Sequence, residues 1–336
     1  MFRTRPLVRL CALAVLIAAT AVISVSTIHQ ASRARAATIG SSLSRPPMSN
    51  PIVINLHVGS DSLHLNDSRD YILRMPNQKK TGPLYIKGGR NILIVGGYMS
   101  TRTKGPNINI HDGANAVSGH IIHIERLLID GSSKVPSDGI QIHAPKAIVQ
   151  LKMDRFVGFW GTLNGYHADV IQPAGGVKEL RIDGFTGSSH YNDFYLRREN
   201  NPLQPPIGKV TIRNTNLFGY ESSTIPHQTI RGIAIGTQGT PPSNDSLKVN
   251  CAVTSPMVFD NFWIHLPSSR PVGQYTWPHT RMASPANWCN ARYSSSTRTI
   301  DWPNLSSSKG GPVHGAAHVG SHSDFVPSGA AGLSYR

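Results

Sequence analysis

The chain of 336 residues has few cysteines, few aromatic residues (7%) and few charged residues (15%). Three cysteines are too few and too widely spaced for a structural zinc site. No helical stripe of ten or more residues occurs among the apolar segments, which excludes the crossover helices that usually join parallel strands. Helix-turn-helix, zinc-finger and basic-helix patterns are also missing, so we expect no nucleic-acid partner.

The sequence does contain an apolar pattern that returns at a nearly constant spacing. Its copies start at Ile92, Ile122, Leu151 and Leu180, with separations of 30, 29 and 29 residues. Weaker copies start at Val210 and, after a longer gap that implies an insertion, at Met257. Apolar residues at every second position predict strands, and a fixed period predicts that neighbouring units stack.

A second series of strands precedes the first in most units. Its inward residues are expected to be Ile86, Ile110, Ile142, Ile171, Leu196 and Ile235. Two series that advance together predict an all-β fold, a right-handed parallel β-helix of roughly six to eight coils in which Ile142, Ile171 and Leu196 stack on adjacent parallel strands. The alternative is a sandwich or barrel of hairpins, whose turns should recur every 8 to 12 residues or so.

The segments at the two ends are predicted to lie outside the coils. Residues 1–36 resemble a secretory signal, with arginines, an apolar run and a small-residue cleavage site, although an uncleaved membrane anchor is the alternative. We expect a lead-in and cap at 37–69, the β-helix at 70–266, an irregular extension at 267–305 and a disordered tail at 306–336. The expected product is a secreted or extracytoplasmic monomer, with no stable membrane partner unless the signal stays uncleaved.

The cysteines agree with export. Cys11 would leave with the signal, and Cys251 and Cys289 would then form one disulfide that ties the C-terminal extension to the last coil. Such a bond would close a loop of 38 residues. The alternative is two unpaired thiols.

The charge of the chain favours anionic partners. The formal net charge is +15; five arginines and no acids lie in residues 1–36, so +10 remains on the body. A basic exported protein fits an acidic polysaccharide or an anionic cell surface. The alternative is that the charge only confers solubility.

Strand alternation predicts one continuous polar face beside the second strand series. Its outward residues are Tyr85, Lys87, Asn109, His111, Gln141, His143, Gln172, Tyr195 and Arg197. Rings with polar tips and paired amides suit a sugar chain. The expected glycan-binding residues are Tyr85, Lys87, Gln141, Gln172 and Tyr195, together with Trp160 on a long loop that returns to the face. An ordinary wet sheet face is the alternative.

Acids and histidines lie beside the same strands. We expect Asp138, Asp169 and Asp193 to come together, because neighbouring carboxylates separate their pKa values and can supply a general acid and a general base. His143, His167 and Arg197 complete the catalytic candidates, and Asp169 and Asp193 are candidate ligands of Ca²⁺, the only cofactor considered. The alternative is that each Asp bonds only to its own turn.

From about Tyr71 to Leu266 the chain resembles the pectate-lyase-like family of right-handed β-helix proteins. The resemblance rests on Ser-Asp-Gly-Ile-Gln-Ile at 137–142 and His-Ala-Asp-Val-Ile-Gln at 167–172. It implies a cleft beside a parallel sheet and cleavage of acidic polysaccharides by elimination or hydrolysis. Lyase members use acids to hold Ca²⁺ and an Arg or Lys as base, roles that Asp169, Asp193 and Arg197 match by type.

The motifs of the hydrolase members are mostly missing. Asp138 resembles the Asp of their Asn-Thr-Asp motif, but Ser137 replaces the Thr, and their Asp-Asp, Gly-His-Gly and Arg-Ile-Lys motifs have no match. Two functions therefore stay open: a polysaccharide lyase or hydrolase, and a noncatalytic surface or glycan-binding protein. An enzyme requires the carboxyl groups of Asp138, Asp169 and Asp193 to converge on one open cleft.

Overall fold

The computed structural model describes residues 43–133, 135–161, 166–198, 205–219, 231–238, 249–250, 255–265, 276–277, 292–303 and 313–335. All of them belong to the compact unit Gly40–Arg336. The predicted signal at 1–36 and the predicted disulfide partners Cys251 and Cys289 lie outside the described residues.

The described residues form an all-β fold without helices, and they include no helix that could span a membrane. The first eleven strands are β1 (Ile52–Asn55), β2 (Asp61–Leu65), β3 (Tyr71–Arg74), β4 (Leu84–Gly88), β5 (Asn91–Val95), β6 (Tyr98–Met99), β7 (Gly105–His111), β8 (Ile121–Glu125), β9 (Leu128–Asp130), β10 (Ser137–Phe159) and β11 (Asp169–Gln172). The others are β12 (Val177–Ser189), β13 (Asn192–Arg198), β14 (Ile207–Gly219), β15 (Arg231–Gln238), β16 (Val249–Asn250), β17 (Met257–His265), β18 (Thr276–Trp277), β19 (Arg292–Ser294), β20 (Thr299–Asp301), β21 (Val313–His314) and β22 (Ala317–Val319).

The strands pair in two mostly parallel series. Ladder A contains β1, β3, β5, β8, the later part of β10, β12, β14 and β17 in that order, and β6 and β9 extend it. Ladder B contains β2, β4, β7, the first part of β10, β11, β13, β15 and β18. Antiparallel pairing is confined to β15–β16, β19–β20 and β20–β22 within the described residues. The all-β prediction and the two parallel series are therefore confirmed.

The core consists of the inward residues of both ladders. Ile86, Ile110 and Ile142 are fully buried neighbours in ladder B, and Ile122, Val149 and Leu180 are fully buried neighbours in ladder A. Branched aliphatic side chains that stack between parallel strands account for the repeat in the sequence.

The register differs from the sequence prediction at two places. In ladder B, Ile171 pairs with Ile140 and with Phe194, so Ile142, Ile171 and Leu196 lie on adjacent parallel strands but two residues out of line. In ladder A, Ile122 pairs with Val149, two residues before the predicted Leu151. A shift of two keeps every side chain on its face, which is why the apolar pattern could not reveal it.

Ladder A bends at a column of residues with positive φ. The column contains Gly96, Arg126, Met153, Gly184, Asn214 and Asn261, with φ between 46° and 74°. Each follows one of the paired positions Val95, Glu125, Lys152, Asp183, Arg213 and Asp260. A non-glycine residue in this region of φ costs about 1–3 kcal/mol. Side-chain hydrogen bonds along the column offset part of that cost: Asn214 Nδ2 donates to Asp183 Oδ1 (2.8 Å), and Asn261 Nδ2 donates to Asn214 Oδ1 (2.8 Å).

The segment predicted as a lead-in and cap carries the first strand of each ladder. β1 pairs in parallel with β3, and β2 pairs in parallel with β4. Before β1, residues 43–49 are tied to ladder A through Arg45, whose Nε donates to Glu125 Oε2 (3.0 Å), and through Ser49, whose backbone N–H donates to Asp70 Oδ2 (2.6 Å). The paired strands therefore begin at Ile52, before the predicted start at residue 70.

The C-terminal segment differs from the prediction of a disordered tail. β21 and β22 pair with β17, and the chain then returns along ladder A. Val326 is fully buried, its N–H donates to Thr186 Oγ1 (3.1 Å), and Asp324 forms an ion pair with Arg155 (2.5 Å). Apolar residues after position 324 pack on ladder A. The high Gly, Ser and His content of the segment had favoured the prediction of disorder.

Candidate glycan-binding face

The outward side chains of ladder B form a polar face along the described strands. We call it the ladder-B face and define it by His64, Tyr85, Lys87, Asn109, His111, Gln141, His143, Gln172 and Tyr195. Registered pairs align Tyr85 with Asn109 and Gln141, and Lys87 with His111 and His143. Lys87 and His64 are exposed and the other members are half-buried. The structure thus brings together six of the predicted site residues: Tyr85, Lys87, Gln141, His143, Gln172 and Tyr195.

Aromatic rings run along this face from its first strand. The ring centroids of His64 and Tyr85 are 5.8 Å apart, those of Tyr85 and His111 are 5.0 Å apart, and those of His111 and His143 are 4.6 Å apart. The last pair is stacked, with an angle of 12° between the rings. Strand spacing in a parallel ladder sets this distance, so the backbone presents the rings as one continuous strip.

Amides and cations accompany the rings. Gln141 Nε2 donates to Gln172 Oε1 (3.3 Å), which places two amides side by side on neighbouring strands. Burial is the main cause that lowers the pKa of His111, and the neighbouring His143 and Lys87 lower it further, while Asp112 opposes them. The lowered pKa favours the neutral form of His111, and Lys87 supplies the permanent positive charge of this part of the face.

The three predicted catalytic acids do not line an open cleft. Asp138 and Asp169 are 2% exposed and Asp193 is 1% exposed. Asp138 lies on the same side of β10 as the fully buried Ile140 and Ile142, so its side chain belongs to the inner side of the strand. The condition that the enzyme hypothesis set is not met.

Hydrogen bonds explain why Asp138 and Asp169 are buried. Asp138 Oδ1 accepts the backbone N–H of Asp169 (2.8 Å), and Asp138 Oδ2 accepts the hydroxyl of Tyr166 (2.5 Å). Asp169 Oδ1 accepts Asn192 Nδ2 (2.5 Å), and Asp169 and Asn192 are registered partners in β11 and β13. These bonds link three successive strands of ladder B, and we call Asp138, Tyr166, Asp169, Asn192 and Asp193 the acid cluster. The alternative that each Asp bonds only to its own turn is therefore wrong for Asp138 and Asp169, which bond across strands.

Asp193 is the exception in the acid cluster. Neither of its carboxyl oxygens has a hydrogen-bond partner of normal geometry among the described residues. Burial raises the pKa of Asp193 well above its usual value, the charge of Asp169 raises it further, and the backbone of Ser189 opposes the shift. Burial also raises the pKa of Tyr166, with a second contribution from Asp138. Burial therefore favours the protonated form of Asp193, which lies on the same side of β13 as Tyr195 but is 1% exposed.

The structure does not support the calcium hypothesis. Asp169 pairs with Asn192, so Asp193 is one residue out of that register and points to the opposite face of the strand. Within the described ranges, no group of three or more His, Cys, Asp or Glu side chains is arranged to hold a metal ion. The two acids predicted as ligands therefore do not form a pair that fits Ca²⁺.

The remaining predicted site residues either lie outside the ladder-B face or have side chains that the structure does not describe. Trp160 packs on His190 with ring centroids 4.6 Å apart, and His167 stacks on Tyr191 at 4.3 Å. His167 lies just before β11, and His190 and Tyr191 lie just before β13, which are the strands of Asp169 and Asp193; His167 is exposed. Arg197 belongs to β13, but its side chain lies outside the described part of the structure.

Three residues were missed by the sequence analysis. His64 begins the ring strip, and the alternation of Leu63 and Leu65 with polar neighbours could have predicted its strand. Asn192 was not predicted because no sequence pattern distinguishes an Asn that is the hydrogen-bond partner of a buried Asp. Asp154 is fully buried beside Leu127, whose backbone N–H donates to its Oδ1 (2.7 Å), and burial raises its pKa well above the usual value.

Comparison with known proteins adds no relative to this picture. No protein-family model, no curated protein and no solved structure matches the chain.

Proposed function

We propose that this chain is an exported right-handed parallel β-helix protein that binds an anionic polysaccharide along the ladder-B face and does not cleave it. The ring strip of His64, Tyr85, His111 and His143 is the observation that carries this proposal. The basic body supports an acidic ligand, and export rests on the signal-like N terminus.

The chemistry of the face suits an extended sugar chain. Sugar rings present apolar C–H surfaces that pack on aromatic rings, and their hydroxyls exchange hydrogen bonds with the paired amides of Gln141 and Gln172. Lys87 offers an exposed ammonium group to a carboxylate or sulfate on the chain. Recognition by one repeating face fits a repeating polymer better than a compact ligand.

The buried acids favour binding over catalysis. A general acid or base must come within hydrogen-bond reach of the substrate, and the carboxyl groups of Asp138 and Asp169 are already bonded inside the fold. Their role in this proposal is to join neighbouring strands. A lyase or hydrolase is therefore the second hypothesis, and the same experiment tests it.

The experiment measures binding of purified protein to alginate, polygalacturonate and hyaluronan, with uncharged dextran as reference. We expect binding to at least one acidic polymer, weakened about three- to tenfold by Lys87→Ala and by His111→Ala. Lys209→Ala, an exposed lysine of ladder A, and Asp169→Asn should bind as the wild type does.

Product analysis distinguishes the two hypotheses. We expect no new reducing ends and no unsaturated products from any polymer, with or without EDTA. Degradation that Asp169→Asn abolishes would establish the enzyme instead. Equal binding by Lys87→Ala, His111→Ala and Lys209→Ala would show that the ladder-B face is not the binding surface.

A further inference from the structure

The two ladders begin with the strands β1 and β2, which we call the first rung. In the part of the chain that the structure describes, β1 pairs only with β3 and β2 pairs only with β4, so the other edge of each strand has no strand partner there. An exposed strand edge is a template for pairing with another chain, and natural edges are commonly blunted by lysine or proline. Neither β1 (Ile-Val-Ile-Asn) nor β2 (Asp-Ser-Leu-His-Leu) contains either residue.

The apolar side chains of the first rung are open to solvent. Ile52 is 39% exposed and Val53 is 42% exposed, and they are two of the three exposed large hydrophobic residues among those described. Ile52 lies on the inner side of β1, yet its partner one rung further in, Tyr71, is buried. Leu63 of β2 is half-buried, while its partner Ile86 is fully buried. The exposure therefore results from the missing neighbour, which a stacked architecture normally replaces with a polar cap.

Charge does not oppose contact between two such surfaces. The only acidic or strongly basic side chain in β1 and β2 is Asp61, which is buried and accepts a hydrogen bond from the ammonium group of Lys80. The strands of the first rung therefore carry no free charge that would repel an identical surface, although the body of the chain is basic.

The segment that precedes β1 runs away from the first rung. Arg45 donates from Nε to Glu125 of β8 (3.0 Å). Leu43 lines a small pocket together with Arg181 of β12. Residues 43–49 therefore follow ladder A toward its later strands and leave the edge of β1 open.

The residues before Leu43 are too few to return to the first rung once the signal-like segment 1–36 is removed. Five strand spacings of about 4.8 Å separate β12 from β1 in ladder A, which amounts to about 24 Å. The residues 37–42 span at most about 22 Å even when they are fully extended. The N-terminal segment of the exported chain therefore cannot cover the first rung, and this step rests on the export that we propose above.

We propose that the first rung is an interface between two copies of this chain, which meet end to end across a two-fold axis. An axis at right angles to β1 places this strand beside its own copy in the antiparallel sense, so that the backbone groups of the two edges can bond to each other. The same contact removes the exposed isoleucine and valine side chains of both copies from water. Because the contact is closed, the assembly stops at two copies. A dimer differs from the monomer expected from the sequence, whose repeats do not show where a ladder ends.

The test measures the mass of the purified exported chain by light scattering after size-exclusion chromatography, over a dilution series. We expect twice the mass of one chain. The double variant Ile52→Lys, Val53→Lys places four like charges at the contact and should raise the Kd of the dimer about hundredfold. Val53→Lys alone changes only an exposed side chain on the outer side of β1, so it should fold as the wild type does and weaken the dimer in the same direction.

The matched control is Ser295→Lys, Ser296→Lys, which adds the same charge at the exposed turn between β19 and β20 and should leave the dimer unchanged. A wild type that is monomeric at every concentration overturns the proposal. A dimer that persists in both lysine variants of β1 forms elsewhere on the molecule and also overturns it. A monomer whose intact mass still includes residues 1–36 overturns the second copy as the occupant of this end.

Discussion

Replacing the fully buried Lys80 with Met should cost the fold about 3 kcal/mol. The Lys80 ammonium group donates to His57 O (2.8 Å), to Asp61 Oδ2 (2.5 Å) and to the carbonyl of Gly59. These three bonds join the turn before β2 to the segment before β4. Methionine keeps most of the hydrocarbon stem but leaves the Asp61 carboxylate and both carbonyls without their donor.

The size of the effect follows from the surroundings of Asp61. Removing one partner of a buried ion pair costs about 3–5 kcal/mol. We take the lower figure because His57 still donates to Asp61 from Nδ1 (2.7 Å) and because the His57 side chain is 82% exposed, which admits water. Burial acts to raise the pKa of Asp61, yet the bonds from Lys80 and His57 prevail and lower it, so the carboxylate is charged at pH 7.

The measurement is urea unfolding followed by far-UV circular dichroism, with the free energy extrapolated to zero denaturant. Lys79→Met is the control: Lys79 Nζ lies 5.6 Å from the Tyr98 ring centroid, a contact worth about 1 kcal/mol or less. Adding Asp61→Asn to Lys80→Met should restore part of the loss, because the uncompensated charge disappears. Losses within about 1 kcal/mol of each other for the two lysine variants would refute the buried-pair argument.

Two further predictions concern the buried acid and the C-terminal segment. A raised pKa in the folded state means that Asp193 binds its proton more tightly after folding, so its contribution to stability is present below the unfolded pKa of about 4 and is lost as pH rises. Asp193→Asn should therefore reduce the loss of stability between acid and neutral pH in urea titrations; an unchanged pH dependence would contradict the neutral acid. Val326→Asp places a charge at a fully buried position and should release the C-terminal segment, which limited proteolysis with intact-mass analysis would detect as early cleavage near the C terminus. The exposed Ser328→Asp should resist cleavage as the wild type does, and equal resistance of both variants would show that the segment is not held by Val326.

The parallel pairing of the strands could be predicted from the sequence because it depends on alternation and period. Leu84, Ile86, Ile108 and Ile110 fall on one side of their strands whatever the register, and their repetition identifies the ladder. Register could not be read in the same way. A shift of two residues, such as the pairing of Ile122 with Val149, leaves the hydrophobic pattern unchanged.

Because the predicted register was wrong, the burial of Asp154 in ladder A was not predicted. With Leu151 aligned to Ile122, Phe156 matches Leu127, and Asp154 falls at a solvent position. In the structure Asp154 pairs with the fully buried Phe185 and accepts the N–H of Leu127. The C-terminal segment escaped prediction for a different reason, since single apolar residues such as Phe325 and Val326 have no period that a sequence pattern could reveal.

The side of the strand on which each candidate residue lies could be predicted within the strands, and it was predicted poorly at the strand ends. Tyr85, Lys87, Gln141 and His143 alternate with isoleucines, so their side of the strand was fixed by their neighbours. Asp138 follows the same rule: it is separated from Ile140 by one residue and from Ile142 by three, which assigns it to the inner side of β10. Strand alternation, extended to the strand ends, is sufficient to assign Asp138 to the inner side. Alternation thus puts Asp138 and Asp169 on the inner side, away from a polymer on the rings and amides, whereas Asp193 shares its side of β13 with Tyr195 and is kept from a polymer by its burial. This is the physical reason to expect binding without cleavage.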